Sequence, residues 1–174
     1  LNAYGLGAES AGQISDQLFQ VVKDGKVTFE QLAENISKFA PTAHAAGLSM
    51  EEMNAAIATA VKVEKPERAM TALRAALFTT AEQGKHLLDV AREMQGMNLE
   101  EIIAAGFSKR SAQGIVLLAN NFELLQTELD NMAVATGEMG RAFDVMATDD
   151  TQNLKTAMSD LKDVGIELGD SVMP

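Results

Sequence analysis

A recurring helix-entry phrase constrains the fold of this sequence more than any other feature. It occurs at residues 47–53 (GLSMEEM), at 96–102 (GMNLEEI) and, in a looser copy, at 26–32 (KVTFEQL). In each copy a Ser, Asn or Thr is followed three residues later by Glu or Gln, whose side chain can reach back to the backbone N–H of the capping residue. Apolar residues stand on both sides of the cap, as in a hydrophobic staple. The phrase therefore predicts the starts of three α-helices.

Glycines mark helix ends just as clearly. Gly25, Gly47, Gly84, Gly96 and Gly106 each follow a periodic apolar segment, as a C-cap glycine does. Prolines at positions 41 and 66 fit the first turn of a new helix. These marks predict helices near residues 8–24, 28–39, 41–46, 50–63, 66–82, 84–95, 99–105, 109–119, 121–135, 137–147 and 150–172. No alternating stretch is long enough to indicate a strand, so the predicted fold class is all-α, a compact multi-helix module of short capped helices.

The apolar composition agrees with this fold class. Hydrophobic residues make up 47% of the chain, which is normal for a folded globular protein and argues against disorder. Aromatic residues are only 5%, so Ala, Leu and Met fill most apolar positions. These three are strong helix formers, whereas strands favour aromatic and β-branched side chains.

The last predicted helix differs from the others because its apolar residues follow a heptad spacing. Steps of four and three residues connect Leu154, Met158, Leu161, Gly165, Leu168 and Val172. Such a seam is typical of a short coiled coil and is a candidate oligomerisation surface. An ordinary amphipathic helix docked on the domain is an equally weighted alternative. We therefore divide the chain into a helical module at 1–147 and a C-terminal amphipathic helix at 148–174.

Charge and composition exclude several functions. The net charge of −11 repels phosphate backbones, so direct nucleic-acid binding is not expected. There is no cysteine, which excludes disulfides and thiolate metal sites. No run approaches about 20 apolar residues, so no membrane span is expected. The chain begins at Leu1 and stops at Pro174, and we expect it to be a piece of a longer protein.

Catalytic, cofactor and metal motifs are not recognisable in the sequence. His44 and His86 lie on different predicted helices without a ligand partner at metal-binding spacing. The stretch at 7–13 lacks the Lys and Ser/Thr of a phosphate loop, and the stretch at 149–153 lacks the Gly and closing Glu of a calcium loop. Helix capping explains the Glu pairs at 51–52 and 100–101 better than acid–base chemistry does. We therefore predict no catalytic, cofactor-binding or metal-binding residue.

Several segments together resemble the core region of phage tail tape measure proteins, the minor tail family also found in prophages. The likeness is carried, in the order of the family, by residues 1–6, 11–19, 25–33, 38–43, 47–53, 69–74, 154–155 and 166–170. It is close over the first seventy or so residues and looser from about 82 to 114. No catalytic motif of the family falls in this region, so no catalytic residue carries over.

The resemblance implies a structural role in a phage or prophage tail. Such proteins occupy the tail lumen during assembly, template its length and leave ahead of the DNA. The implied partners are further copies of the chain, tail tube and tail-tip proteins and a tail assembly chaperone, and the implied locations are the virion tail lumen and the host cytoplasm during assembly. Because helix stops fall every ten to twenty residues, we expect a folded module rather than a rod of about 260 Å. Two other interpretations of its function remain open. The first is a non-enzymatic helical adaptor, and the second, with less support, is an enzyme such as a peptidoglycan hydrolase.

Overall fold

The computed structural model describes residues 11–24 and 27–135, and this part of the chain contains eight α-helices and no strand. The helices are α1 (Ala11–Asp24), α2 (Phe29–Ala45), α3 (Met50–Val63), α4 (Pro66–Glu82), α5 (Leu87–Glu93), α6 (Leu99–Ala104), α7 (Lys109–Ala119) and α8 (Phe122–Val134). The predicted all-α class is confirmed. None of these described helices is long and apolar enough to cross a membrane.

Side-chain caps begin four of the helices. At the start of α3, the Ser49 backbone N–H donates to Glu52 Oε2 at 2.8 Å and the Glu52 N–H donates to Ser49 Oγ at 3.1 Å. The same reciprocal pair forms between residues 28 and 31 before α2 and between residues 98 and 101 before α6. All three predicted capping boxes are therefore confirmed. Ser108 provides a fourth cap, because its Oγ accepts the Ser111 N–H at the start of α7.

Glycines with positive φ follow four of the described helices, at positions that the sequence predicted. At the end of α2, Gly47 has φ +79° and its N–H donates to the His44 carbonyl, while Leu48 N–H donates to the Ala43 carbonyl. This pair of bonds is the Schellman motif, and its left-handed residue favours glycine because a Cβ is strained there. Positive φ is also found at positions 84, 96 and 106. The fifth predicted stop, Gly25, lies outside the described residues.

The predicted helix break at Pro41 is wrong. Instead of two helices at 28–39 and 41–46, a single α2 runs through Pro41, which is exposed to solvent. The proline removes one backbone hydrogen bond. On the opposite face Phe39, Ala40 and Ala43 are buried, and their packing keeps the chain helical past the proline. Tertiary burial therefore outweighs the local cost of this proline.

The observed bounds of the other described helices agree with the predicted bounds to within a few residues. Helix α5 is shorter than the predicted 84–95, because Gly84 completes the Schellman motif of α4 through bonds from Gly84 and Lys85 back to Ala81 and Thr80. The predicted helices at 137–147 and 150–172, and the proposed domain boundary between residues 147 and 148, lie outside the described residues.

Helix α3 lies at the centre of the described part of the molecule. Every residue from Met53 to Val61 is buried, and α3 contacts α1, α2, α4, α7 and α8. Such all-round burial requires small or apolar side chains on every face, which the Ala-rich sequence of α3 supplies. The largest fully buried side chains in the described part of the chain are Phe39, Leu32, Leu48, Met53, Ile57, Leu73, Leu77, Leu87, Ile102, Ile115, Leu118 and Leu125.

Candidate functional site

The predicted association seam lies outside the described residues. Its six members are Leu154, Met158, Leu161, Gly165, Leu168 and Val172, so the seam stays a prediction. The two histidines are described and belong to different elements. His44 is exposed in the last turn of α2, and His86 is the N-cap residue of α5, with its Nε2 3.5 Å from Glu52 Oε2. Among the described residues, no group of three or more His, Asp or Glu side chains could hold a metal ion.

The paired glutamates act within helix termini and helix packing. Glu52 and Glu101 complete capping boxes. The pKa of Glu51 is raised by partial burial, but hydrogen bonds from its own backbone N–H and from the Gln17 and Ser49 side chains outweigh this and lower the pKa below the ordinary value of 4.5. Glu51 is therefore a carboxylate at neutral pH and serves as a hydrogen-bond acceptor.

A buried amide network, which we call the Gln17 clasp, joins three helices. It consists of Gln17 on α1, Glu51 and Asn54 on α3, and the backbone carbonyl of Met132 on α8. Gln17 Nε2 donates to Glu51 Oε1 at 3.2 Å and lies 3.5 Å from the Met132 oxygen. Asn54 Nδ2 donates to Gln17 Oε1 at 3.2 Å. Since Gln17 is 1% exposed and Asn54 is fully buried, these bonds replace contacts with water.

A partly buried ion pair is a second link between α3 and α8. Lys62 Nζ lies 2.7 Å from Glu128 Oε1, and the two side chains are 21% and 2% exposed. The second carboxylate oxygen of Glu128 is buried and has no hydrogen-bond partner within the described part of the chain. Because a buried charge is costly without its partner, removal of Lys62 alone should weaken the contact between α3 and α8.

Helices α4 and α7 approach each other very closely. A Cβ added to Gly114 would lie 2.2 Å from the backbone oxygen of Ala72 and 2.8 Å from the Ala76 Cβ. Nearby, the Ser111 hydroxyl donates to the Ala75 carbonyl at 3.1 Å and lies 2.7 Å from Thr79 Oγ1. Small residues on both helices therefore allow backbone contact, and Ser111 adds hydrogen bonds across the same interface.

Beside this interface a surface groove of about 550 Å³ runs between α4 and α7 and reaches α6. Half-buried Leu99, Val116 and Leu117 contribute apolar surface, and charges of both signs stand around them. The charged residues are Glu64, Glu67, Arg68 and Arg110. The groove therefore combines a small apolar surface with charges of both signs.

The clasp and the Gly114 contact were not predicted from the sequence, although both leave a signal there. Gln17 interrupts an apolar stripe that includes Ile14, Leu18 and Val21, and Asn54 is a polar residue in the otherwise apolar and small sequence of α3. Gly114 stands inside a helix, where glycine costs stability unless close packing requires it. In each case the partner is distant in sequence, so the local pattern could not identify it.

These contacts define the class of protein by its fold, an all-α module in which polar groups join helices. Comparison with known proteins identifies the family. The family of phage-related minor tail proteins matches residues 1–165, and the chain belongs to that family. The resemblance inferred from the sequence is thereby confirmed, and the chain is placed among phage tail proteins.

One curated relative is the tape measure protein of Pneumococcus phage Dp-1. It is 34% identical to this chain over 95 residues, which is 54% of the chain and 8% of the relative. The chain therefore corresponds to a small part of that much longer protein. No solved structure matches the chain.

Proposed function

We propose that this chain is a folded helical module of a tape measure protein, a structural and non-enzymatic component that takes part in setting tail length and in tail assembly. The observation that carries the proposal is the family match over residues 1–165, together with the similarity to a protein named tape measure protein. A structural module works by shape, position and association. The buried clasp, the Lys62–Glu128 pair and the close α4–α7 contact support such a role because each specifies how helices pack.

The described geometry favours a compact unit within a long parent protein. Helix α3 is surrounded by five helices, which is incompatible with a single extended rod over the same residues. A compact domain of this length has a radius of gyration of about 16 Å and is roughly 40 Å across. A continuous helix of the same length would span about 260 Å. Most of the templated length should therefore come from uninterrupted helices elsewhere in the parent.

The proposed partners are other copies of the chain, the tail tube, tail-tip proteins and a tail assembly chaperone. Self-association would use the heptad seam from Leu154 to Val172, which brings copies of the module side by side. Contact with nucleic acid is not part of the proposal, because a net charge of −11 opposes it. The proposed locations are the lumen of the virion tail and, before assembly is complete, the host cytoplasm.

An in-frame deletion in the phage tests both the ruler role and the compact state. The deletion removes residues 1–165 from the parent gene, and a control deletion removes an equal length from an uninterrupted helical stretch of the same protein. Tail lengths are then measured by electron microscopy. We expect the module deletion to shorten tails by no more than about 40 Å. The control deletion should shorten them by roughly 250 Å, at about 1.5 Å per residue.

Two outcomes would contradict the proposal in different ways. If the control deletion leaves tail length unchanged, the parent protein is not the template. If the module deletion shortens tails as much as the control does, the module is extended inside the tail and the compact state is wrong. If the module deletion abolishes tails, the module is instead replaced by an unrelated helical bundle of equal size. The tail length of that phage is then compared with the tail length after the control deletion.

A further inference from the structure

One side chain links the first and the last described helices. Gln17 lies on α1, and its Nε2 is 3.5 Å from the carbonyl oxygen of Met132 in the last turn of α8. The same Nε2 donates to Glu51, which stands in the first turn of the central helix α3. The points at which the chain enters and leaves the described helical module are therefore held together at the clasp.

The attachment of α1 to the module includes buried polar side chains. Among the α1 side chains that the structure describes, Asp16, Gln17, Leu18 and Val21 are buried, so two of these four are polar, while half-buried Ile14 and Val22 also pack against the core. By contrast, the buried face of α4 is almost wholly apolar and fits directly against the α7 backbone at Gly114. Folding exchanges hydrogen bonds with water for hydrogen bonds within the protein, so a polar contact contributes less net stability than burial of an apolar side chain.

Asn54 adds a specific cost to the docked position of α1. The residue is fully buried, its Nδ2 donates to Gln17 Oε1, and its Oδ1 has no hydrogen-bond partner among the described residues. Departure of α1 would let water reach this amide and satisfy both ends of it. A buried amide that is only half satisfied therefore opposes the docking of α1.

We propose that α1 is a releasable helix, which opens as a unit at the Gln17 clasp while α3, α4 and α7 stay folded. Release breaks the link to Met132, so the two ends of the module separate. A stepwise opening of the module would then lose α1 before α3, α4 and α7. This conformational device goes beyond the tail role proposed above and does not depend on it.

Hydrogen–deuterium exchange of the full chain at neutral pH, followed by mass spectrometry, tests the release directly. Peptides from α1 should exchange at least about tenfold faster than peptides from α7, and their rate should rise with urea less steeply than the α7 rate, because release of one helix exposes less surface than global unfolding. Gln17→Ala should raise the α1 rate by a further factor of about ten and the α7 rate, which follows a larger unfolding that includes loss of α1, by no more than the same factor. The matched control is Gln13→Ala, an exposed position on the same helix, which should change neither rate.

A double variant tests the energetic argument in the opposite direction. Gln17→Leu combined with Asn54→Leu replaces both buried amides by apolar groups of similar size, which is neutral or stabilising when both partners change together. We expect α1 to exchange about tenfold more slowly in this variant than in the natural chain. The proposal is overturned if α1 and α7 of the natural chain exchange at one common rate, or if the double variant speeds α1 exchange.

The distance between α1 and the end of α8 can be measured directly. The chain has no cysteine, so Gln13→Cys and Ala133→Cys provide two exposed spin-label sites, one on α1 and one near the end of α8. Electron–electron distance measurements should show a short population and a minor long population, and Gln17→Ala should enlarge the long one. A single short distance in both forms would show that α1 and α8 do not part.

Discussion

Gly114 on α7 faces the backbone carbonyl of Ala72 on α4 so closely that a Cβ at position 114 would lie 2.2 Å from the Ala72 oxygen. We expect Gly114→Ala to destabilise the module by about 1–3 kcal/mol, because the opposing atoms are backbone and the helices themselves must move apart. Urea unfolding followed by circular dichroism measures the change. Gly12→Ala is the matched control, since Gly12 is also helical and has no atom within 4 Å of the added Cβ. The control should be neutral or slightly stabilising, and equal losses in both variants would contradict the packing argument.

Substitution of Gly47 measures the cost of conformational strain without a change in packing. Its φ is +79°, and an added Cβ would meet no atom within 4 Å. Gly47→Ala should therefore cost about 1–2 kcal/mol from the left-handed conformation alone. Gly47→Asn should lose less, because asparagine tolerates this region better than alanine. Urea unfolding measures the free energy of unfolding of both variants. A larger decrease for Gly47→Asn than for Gly47→Ala would mean that the positive φ does not cause the loss of stability.

The glycine and capping positions show what the sequence could predict and where it failed. A capping box involves residues three apart, so Ser49 and Glu52 identify each other without knowledge of the fold. The continuation of α2 through Pro41 depends on burial of Phe39 and Ala43 against other helices, and a local pattern contains no measure of that burial. The clasp pairs Gln17 with Asn54, 37 positions away, and with Met132, 115 positions away. Only the packed helices bring those amides together.

The Lys62–Glu128 pair allows a test of how α8 is held. Lys62→Met should destabilise the module by about 1–3 kcal/mol, because the buried Glu128 carboxylate would lose its partly exposed cation. The double variant Lys62→Met with Glu128→Met should recover most of this loss, since two apolar side chains can replace a buried ion pair.

The chain also offers an exposed ion pair as the control. Arg92 and Asp89 are 3.4 Å apart, with side chains more than 60% exposed. Arg92→Met should change the free energy of unfolding by less than about 1 kcal/mol, apart from any loss of its contact with the Phe122 ring. If the double variant at positions 62 and 128 is no more stable than Lys62→Met, the cost of the single change does not come from an uncompensated charge.

We expect acid to lower the free energy of unfolding of the module because Glu51 becomes protonated. Its pKa is lowered in the folded chain and returns to the ordinary value near 4.5 on unfolding. The stability that this carboxylate contributes is therefore fully present above that ordinary value and is lost as the pH falls through the lowered one. Glu51→Gln keeps a side-chain oxygen for Gln17 but does not titrate. Urea unfolding between pH 7 and pH 3 should show a stability advantage of the natural chain at neutral pH that shrinks in acid. An advantage that grows in acid would mean that the pKa of Glu51 is raised by folding.

The heptad seam predicts self-association of the chain through residues beyond the described helices. Leu161→Asp and Leu168→Asp place charges on the seam, and a charge buried between helices without a partner is strongly unfavourable. If the natural chain forms oligomers, we expect both variants to be monomers at the same concentration by light scattering coupled to size-exclusion chromatography.

Thr156→Asp is the control for the seam, because it adds the same charge to the same predicted helix at a position off the seam. It should leave the oligomeric state unchanged, and circular dichroism of all three variants should show that the module stays folded. A natural chain that is monomeric at every concentration tested would instead support the other interpretation of this segment, an amphipathic helix docked on its own domain. In that case Leu161→Asp should lower the free energy of unfolding without changing the mass of the particle, because the apolar seam would be buried within one chain.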